Sequence, residues 1–229
     1  MKLSVIIPAY NEKNTIKEIV RRVKQVELPG VDKEIIVVDD GSTDETRDVL
    51  KLMEDSSVRV FYHSENRGKG AAIRTALEHA KGDLIVIQDA DLEYDPEDYP
   101  KLINPVLKKK ATVVYGSRFT GEHRNMLFWH YVGNRFLSLV TNILYNTTLS
   151  DMETGYKLFT REVLDGIKIK ARGFEFEPEV TAKILKRGTR IYEVPISYAG
   201  REYIEGKKIV GWKDGLVALW CLIKYRFMN

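Results

Sequence analysis

The run Leu84-Ile85-Val86-Ile87 is followed at once by Gln88-Asp89-Ala90-Asp91-Leu92-Glu93. A short unbroken apolar run fits a strand buried on both faces of a parallel sheet, and such sheets belong to α/β domains. Alternate residues of an extended chain point the same way. On that reading Asp89, Asp91 and Glu93 converge just past the carboxyl end of a buried strand, where open α/β sheets bind ligands. Carboxylates so close repel one another unless a cation neutralises them. Hard oxygen donors suit Mg²⁺ or Mn²⁺, shared with substrate phosphates. The plain alternative is an acidic strand end running into a solvated turn, Tyr94-Asp95-Pro96-Glu97-Asp98.

The residues before this run repeat one pattern. Apolar runs at 2–7, 34–38 and 58–62 read as strands, and helical periodicity fills the intervals. Ile16, Ile19, Val20, Val23 and Val26 recur with helical spacing, with Lys and Arg on the other face. Asn11 or Asn14 can cap that helix, and Ser42, Thr43 or Asp44 the helix over 45–53. A loop from His63 to Gly70 opens a helix over 71–80. Gly68-Lys69-Gly70 suggests either a phosphate cradle or a plain turn. The order β-α-β-α-β-α-β predicts a mostly parallel, Rossmann-like sheet with helices on both faces.

Further on, 99–109 reads as a helix broken or kinked at Pro105, and 112–116 as a strand ending in Ser117-Arg118. A helix over 131–146 carries Val132, Phe136, Leu139, Val140, Ile143 and Leu144 on a broad apolar face, with Arg135 in its first turns. Asp151-Met152-Glu153-Thr154-Gly155 precedes a strand over 156–160, Glu175 opens a helix to Arg187, and 191–198 is the last strand. The expected division is a catalytic domain over 1–199 and a loop with an amphipathic tail over 200–229.

The chain's 229 residues, 44% hydrophobic and 30% charged, describe an ordinary globular protein. One cysteine, Cys221, allows no internal disulfide and fits a reducing compartment; within its apolar run it reads as a small hydrophobe. No run approaches the ~18–20 apolar residues of a membrane span, and no signal peptide is visible. The net charge of +3 is local: from Gly200 onward six Lys/Arg face three acids, so residues 1–199 sum to zero. That basic, aromatic-rich tail suggests phosphates or a membrane surface as partner. The alternatives are a C-terminal helix packed on the domain, or pairing with a membrane subunit or with a second copy.

Three segments together carry a resemblance: Val5-Ile6-Ile7-Pro8-Ala9-Tyr10-Asn11-Glu12, Val37-Val38-Asp39-Asp40-Gly41-Ser42 and Gln88-Asp89-Ala90-Asp91. In this order they resemble glycosyltransferase family 2. Asn66-Arg67-Gly68-Lys69-Gly70-Ala71-Ala72, Gly116-Ser117-Arg118, Gly133-Asn134-Arg135 and Arg201 with Lys207 resemble its dolichol-phosphate mannose synthases. The resemblance implies a GT-A fold, a nucleotide-sugar donor, a divalent metal and a polyprenyl phosphate acceptor. It implies that Pro8, Tyr10, Glu12, Val37 and Asp39 hold the base and ribose, while Asp89, Ala90, Asp91 and Glu93 hold metal and donor phosphates. Arg201 and Lys207 would grip the diphosphate, and Arg118 and Arg135 the acceptor phosphate. The side-chain chemistry agrees: Asp39 or Glu12 can accept hydrogen bonds from base or ribose, and arginine binds phosphate as a bidentate fork.

The implied reaction is an inverting transfer of a hexose, mannose from GDP-mannose first, to polyprenyl or dolichyl phosphate. Asp91, Arg118 and Arg135 would carry it, on the cytoplasmic face of a membrane. Its rivals are a UDP-glucose-dependent or other family 2 transferase and, in a different class, a non-catalytic nucleotide-binding module. Nothing in the sequence points to nucleic acid.

Overall fold

The structure, a computed structural model, describes residues 1–200 and 211–228. Alternation of strand and helix gives β1 (Lys2–Ala9), α1 (Ile16–Gln25), β2 (Asp32–Asp39), α2 (Thr46–Lys51), β3 (Val58–Tyr62), α3 (Lys69–His79) and β4 (Leu84–Ile87). Next come α4 (Tyr99–Leu107), β5 (Val113–Ser117), α5 (Phe128–Tyr145), β6 (Lys157–Thr160), α6 (Arg161–Leu164), α7 (Phe176–Lys186), β7 (Tyr192–Pro195) and α8 (Gly211–Phe227). The strands form one sheet in the order β3-β2-β1-β4-β6-β5-β7.

Among the described strands only β6 runs against its neighbours; it lies antiparallel to β4 on one side and to β5 on the other. The other strands are parallel, so their carboxyl ends share one edge. Reversing β6 brings its amino end, and the segment 151–155 that enters it, to that same edge. The strand order turns back between β1 and β4, the switch point where such sheets open a crevice.

The period of two along the strands sorts the core onto two faces. Val5, Ile7 and Val37 pack with Ile16, Ile19, Leu102 and Ile103 from α1 and α4. Ile6, Ile36, Val38 and Ile87 pack with Ile73, Ala76, Phe176 and Val180 from α3 and α7. A third cluster joins Leu137, Met152, Ala182, Ala218, Cys221 and Leu222, so α8 packs on the body through one face. Cys221 is buried there as a small hydrophobe, and burial pushes its thiol up to about 12.

Several local expectations change. Helix α4 continues through Pro105 instead of breaking; the ring removes one helical donor without ending the helix. Thr15 stands at the N-cap of α1 without a capping bond. Asn11 instead adopts a φ of 51° and its Oδ1 accepts from the Thr43 N–H at 2.8 Å, tying two loops together. The strand expected over 191–198 ends at Pro195, with two further bridges from Tyr198, to Tyr94 and to His123. The expected apolar face of α5 turns largely outward: Phe136, Leu139 and Ile143 are exposed, and the helix packs through Leu137, Val140 and Leu144.

Candidate active site at the carboxyl edge of the sheet

Beyond Ile87 the chain does not stay extended. Residues Ala90 and Asp91 form a turn, and Leu92 takes a φ of 65°, which costs a bulky L-residue on the order of 1–2 kcal/mol. The expectation that Asp89, Asp91 and Glu93 share one face by strand alternation therefore fails. Each carboxylate has its own partner. Asp89 Oδ1 lies 2.6 Å from Lys69 Nζ, Asp91 Oδ1 accepts from the Glu93 N–H, and Glu93 Oε2 accepts from the Tyr198 hydroxyl at 2.6 Å. Among the described residues no group of three His, Cys, Asp or Glu is placed to hold a metal. An ion here would draw on Asp89 and Asp91 and take its other oxygens from a ligand.

The turn is held firmly from below. Gln88 is fully buried and its Oε1 accepts from the hydroxyls of Tyr99 and Tyr156 at 2.8 and 2.7 Å. Gly155 lies so close to Asp89 that a Cβ would sit 2.3 Å from Asp89 Oδ2, which only glycine permits. The Gly155 N–H donates to the Tyr94 hydroxyl at 2.8 Å.

Lys69 extends this cluster inward. Its ammonium also meets Glu177 Oε1 at 2.8 Å, at the start of α7. Burial works against its charge, but Asp89 and Glu177 outweigh that and hold its pKa well above the ordinary lysine value. Glu177 Oε2 and Glu153 Oε1 are buried without a hydrogen-bond partner. Burial, reinforced by the charge of Glu177, pushes the Glu153 carboxyl upward. Deeper still, Lys157 donates to the carbonyls of Met152 and Thr154 and sits 4.0 Å from the centre of the Tyr115 ring. Burial pulls its pKa down.

The expected nucleotide side lies at the ends of β1 and β2. Pro8 and Tyr10 are half-buried there, and Glu12 is buried with its Oε2 accepting from Thr15 Oγ1. Asp39 is fully buried; its Oδ2 takes both Nε and Nη2 of Arg47, leaving Oδ1 towards the Ser42 N–H at 3.4 Å. Val37 is a correction: two residues inside β2 and fully buried in the core, it has no surface to offer a ligand. Ala90 is buried likewise, so only its backbone could take part. Gly68-Lys69-Gly70 is neither an empty cradle nor a loose turn. Asp40 accepts from the N–H groups of Arg67 and Gly68, and a Cβ on Gly68 would lie 2.3 Å from the Arg172 carbonyl oxygen.

The expected acceptor side lies across β6. Arg118 is buried and its fork is spent on Asp151, with Nε–Oδ2 and Nη2–Oδ1 both at 2.7 Å. The pairing satisfies the Nε–Nη2 side of a buried guanidinium, so Arg118 fixes the 151–155 segment. Arg135, by contrast, is exposed, donates to the Ser150 carbonyl at 3.1 Å and lies 5.7 Å from the Phe119 ring centre. Arg201 and Lys207 lie outside the described residues. Sequence reasoning saw Lys69 only as part of the Gly68-Lys69-Gly70 loop and gave no roles to Asp151, Glu153 and Glu177; the crowding of acids in 151–153 and 175–179 was their only signal.

Residues 4–167 match the profile of "Glycosyl transferase family 2". The chain is 32% identical over 218 residues to the dolichol-phosphate mannosyltransferase of Pyrococcus furiosus, covering 91% of this chain and 61% of that protein. It is 33% identical over 204 residues to the low-salt glycan biosynthesis hexosyltransferase Agl6 of Haloferax volcanii, covering 87% of this chain but only 48% of that one. The chain thus spans about half to three fifths of these two relatives. A UDP-N-acetylglucosamine–dolichyl-phosphate N-acetylglucosaminyltransferase of Methanococcus voltae is 32% identical over 220 residues, with 87% and 86% covered. Glucosyl-3-phosphoglycerate synthase from Mycobacterium tuberculosis, solved with Mn²⁺ and UDP-glucose, superposes with a TM-score of 0.78 at 21% identity, over 100% of this chain and 80% of that one. Fold and profile agree, and the chain belongs to glycosyltransferase family 2, with the GT-A architecture.

Proposed function

We propose that this chain moves a hexose from a nucleotide diphosphate sugar to a polyprenyl phosphate, with inversion at the anomeric carbon. One observation carries the reading. A single sheet edge presents the Asp89–Asp91 turn on one side of β6 and the exposed Arg135, beside an outward apolar helix, on the other. The first suits a diphosphate with a cation, the second an anionic headgroup with a lipid attached. The P. furiosus and M. voltae relatives both carry a dolichyl phosphate in their names, which supports the acceptor.

Asp89 and Asp91 fit Mg²⁺ or Mn²⁺, which coordinates few protein carboxylates and completes its shell with phosphate oxygens and water. When bound, the ion supplies neutralisation of the charge that develops on the leaving diphosphate. Lys69 orients the Asp89 carboxylate through its 2.6 Å contact. Tyr10 and the ends of β1 and β2, where Asp39 sits, would receive the nucleoside, with Arg201 and Lys207 on its phosphates. The acceptor phosphate is already anionic near neutral pH, so attack needs no general base. Arg135 would offset the repulsion between two anions and align them, while Arg118 and Asp151 hold its surroundings.

Mannose from GDP-mannose is the first choice of donor. UDP-sugars form the second reading, favoured by the names of the M. voltae relative and the solved synthase. The enzyme would work peripherally at the cytoplasmic face of a membrane, with its C-terminal tail on the surface. Purified protein with Mn²⁺, polyprenyl phosphate and GDP-mannose, UDP-glucose or UDP-N-acetylglucosamine in turn should yield one lipid-linked hexose by mass. Absence of product with every donor, alongside intact nucleotide binding, would favour a binding module instead.

A further inference from the structure

Lys69 is the first residue of α3, and it reaches carboxylates on two other elements. Its Nζ lies 2.6 Å from Asp89 Oδ1, just beyond β4, and 2.8 Å from Glu177 Oε1, in the first turn of α7. The backbone around it is pinned. A Cβ on Gly70 would sit 2.8 Å from the Ala171 carbonyl oxygen, and the Ala71 N–H donates to the Arg172 carbonyl at 3.0 Å. The start of α3 is thereby fixed against the segment that leads into α7. The ammonium, on its long flexible stem, can change partners while both helices stay still. Its inner partners have capacity to spare. Glu177 Oε2 and Glu153 Oε1 are buried, and among the described residues neither has a hydrogen-bond partner. Buried acceptors without donors are uncommon in folded proteins, because they are costly to leave so. The neighbouring cations are committed elsewhere: Arg118 to Asp151, and Lys157 to the carbonyls of Met152 and Thr154. Of these three cations, Lys69 alone is ion-paired to Glu177.

We infer that Lys69 is an internal competitor of the divalent cation for Asp89, and that Glu177 is the positioning residue that receives its ammonium when the ion binds. The inference rests on Asp89 and Asp91 as metal ligands, as proposed above, and adds a role for Glu177 that the proposal did not contain. Electrostatics favours an exchange of partners. A dication and an ammonium on one half-buried carboxylate repel each other where water screens them little. The ammonium therefore gives way along the one route that keeps it paired, onto Glu177. Without that second carboxylate, leaving Asp89 would strand a buried charge, and the ion would have to displace Lys69 against that penalty. Glu177 thus tunes metal affinity without touching the metal, and Lys69 sets how strongly an ion must bind before Asp89 is surrendered to it.

The test measures Mn²⁺ binding to the full chain, alone and with GDP or UDP, from the electron paramagnetic resonance signal of the free ion, so sugar transfer plays no part in it. Lys69→Met removes the competitor and should bind Mn²⁺ about tenfold more tightly than wild type. Glu177→Gln removes the receiving charge, keeps the ammonium on Asp89 and should weaken Mn²⁺ binding about tenfold. The double variant should match Lys69→Met, because Glu177 acts only through the lysine. A merely structural lysine predicts the opposite sign: Asp89 loses its orientation and Lys69→Met binds Mn²⁺ more weakly. Cooperative thermal melts report that the variants fold; should Lys69→Met fail to fold, Glu177→Gln decides alone. Unchanged or weaker Mn²⁺ binding in Lys69→Met overturns the proposal, and so does unchanged or tighter binding in Glu177→Gln. Either result leaves the function proposed above standing. A wild type that takes up no Mn²⁺, alone or with either nucleotide, removes the metal from that function and this inference with it.

Discussion

The two ends of the sheet treat buried carboxylates in opposite ways. At the amino end Glu34 is saturated: it accepts from the Ser4 hydroxyl and the Lys81 N–H, both at 2.6 Å, and pairs with Lys2 at 2.9 Å and Arg59 at 3.1 Å. These bonds and cations overcome its burial and hold its carboxyl down at about 2. At the carboxyl end Glu153 and Glu177 each keep an oxygen without a partner, and Asp89 and Glu177 share one lysine. Saturation serves stability, because a satisfied charge gains nothing by moving. Incompletely paired charge is costly in an apoprotein and useful beside a ligand that brings cations and hydroxyls with it.

This contrast breaks most visibly at Asp91. Asp91→Ala should lower turnover about 10³-fold with little change in melting temperature; EDTA should do the same to wild type, reversed by Mn²⁺ or Mg²⁺. Undiminished turnover in EDTA would remove the metal from the site. Lys69→Met strikes both stability and catalysis, since it leaves the half-buried Asp89 and the buried Glu177 without their cation. It should lower unfolding free energy by about 3 kcal/mol in urea and cut kcat as well.

Glu34→Ala should cost about 2 kcal/mol while kcat/KM stays at the wild-type value, the signature of a purely structural charge. The depressed carboxyl also fixes a pH window. Its contribution is complete above the ordinary value of 4.5 and fades as pH falls towards 2, so the variant's acid-unfolding profile should be flatter there. Glu153 has the reverse sign. A carboxyl raised by burial is ionised in the unfolded chain before the folded one, so folding loses free energy as pH rises above 4.5. Glu153→Gln should abolish that slope and add on the order of 1 kcal/mol under mildly alkaline conditions.

The parallel half of the molecule was legible because local rules suffice there. Apolar runs of strand length, helical periodicity in 16–26 and acidic residues at strand ends each follow from a short window. What escaped depended on distant partners. The turn at Asp91 and the Arg118–Asp151 pair need β6 reversed between β4 and β5, which no local pattern announces. Val37 illustrates the limit of analogy: it belongs to a motif that lines a site, yet its own side chain is core. The outward stripe of α5 was visible as apolarity but not as direction, because a helix apolar on two sides does not declare which side is covered.

The reversed strand also bears on how the chain is built. Strands β1 to β4 and their helices can assemble from residues 1–87 alone, through consecutive crossovers. Strand β4 then keeps one row of backbone donors and acceptors open until β6, more than sixty residues later, slots in between it and β5. A nascent chain emerging from the ribosome passes through a stage with a bare, apolar sheet edge of the kind that invites mispairing. Chains released near Lys110 should therefore aggregate or recruit chaperones, and those released beyond β6 and α7 should not.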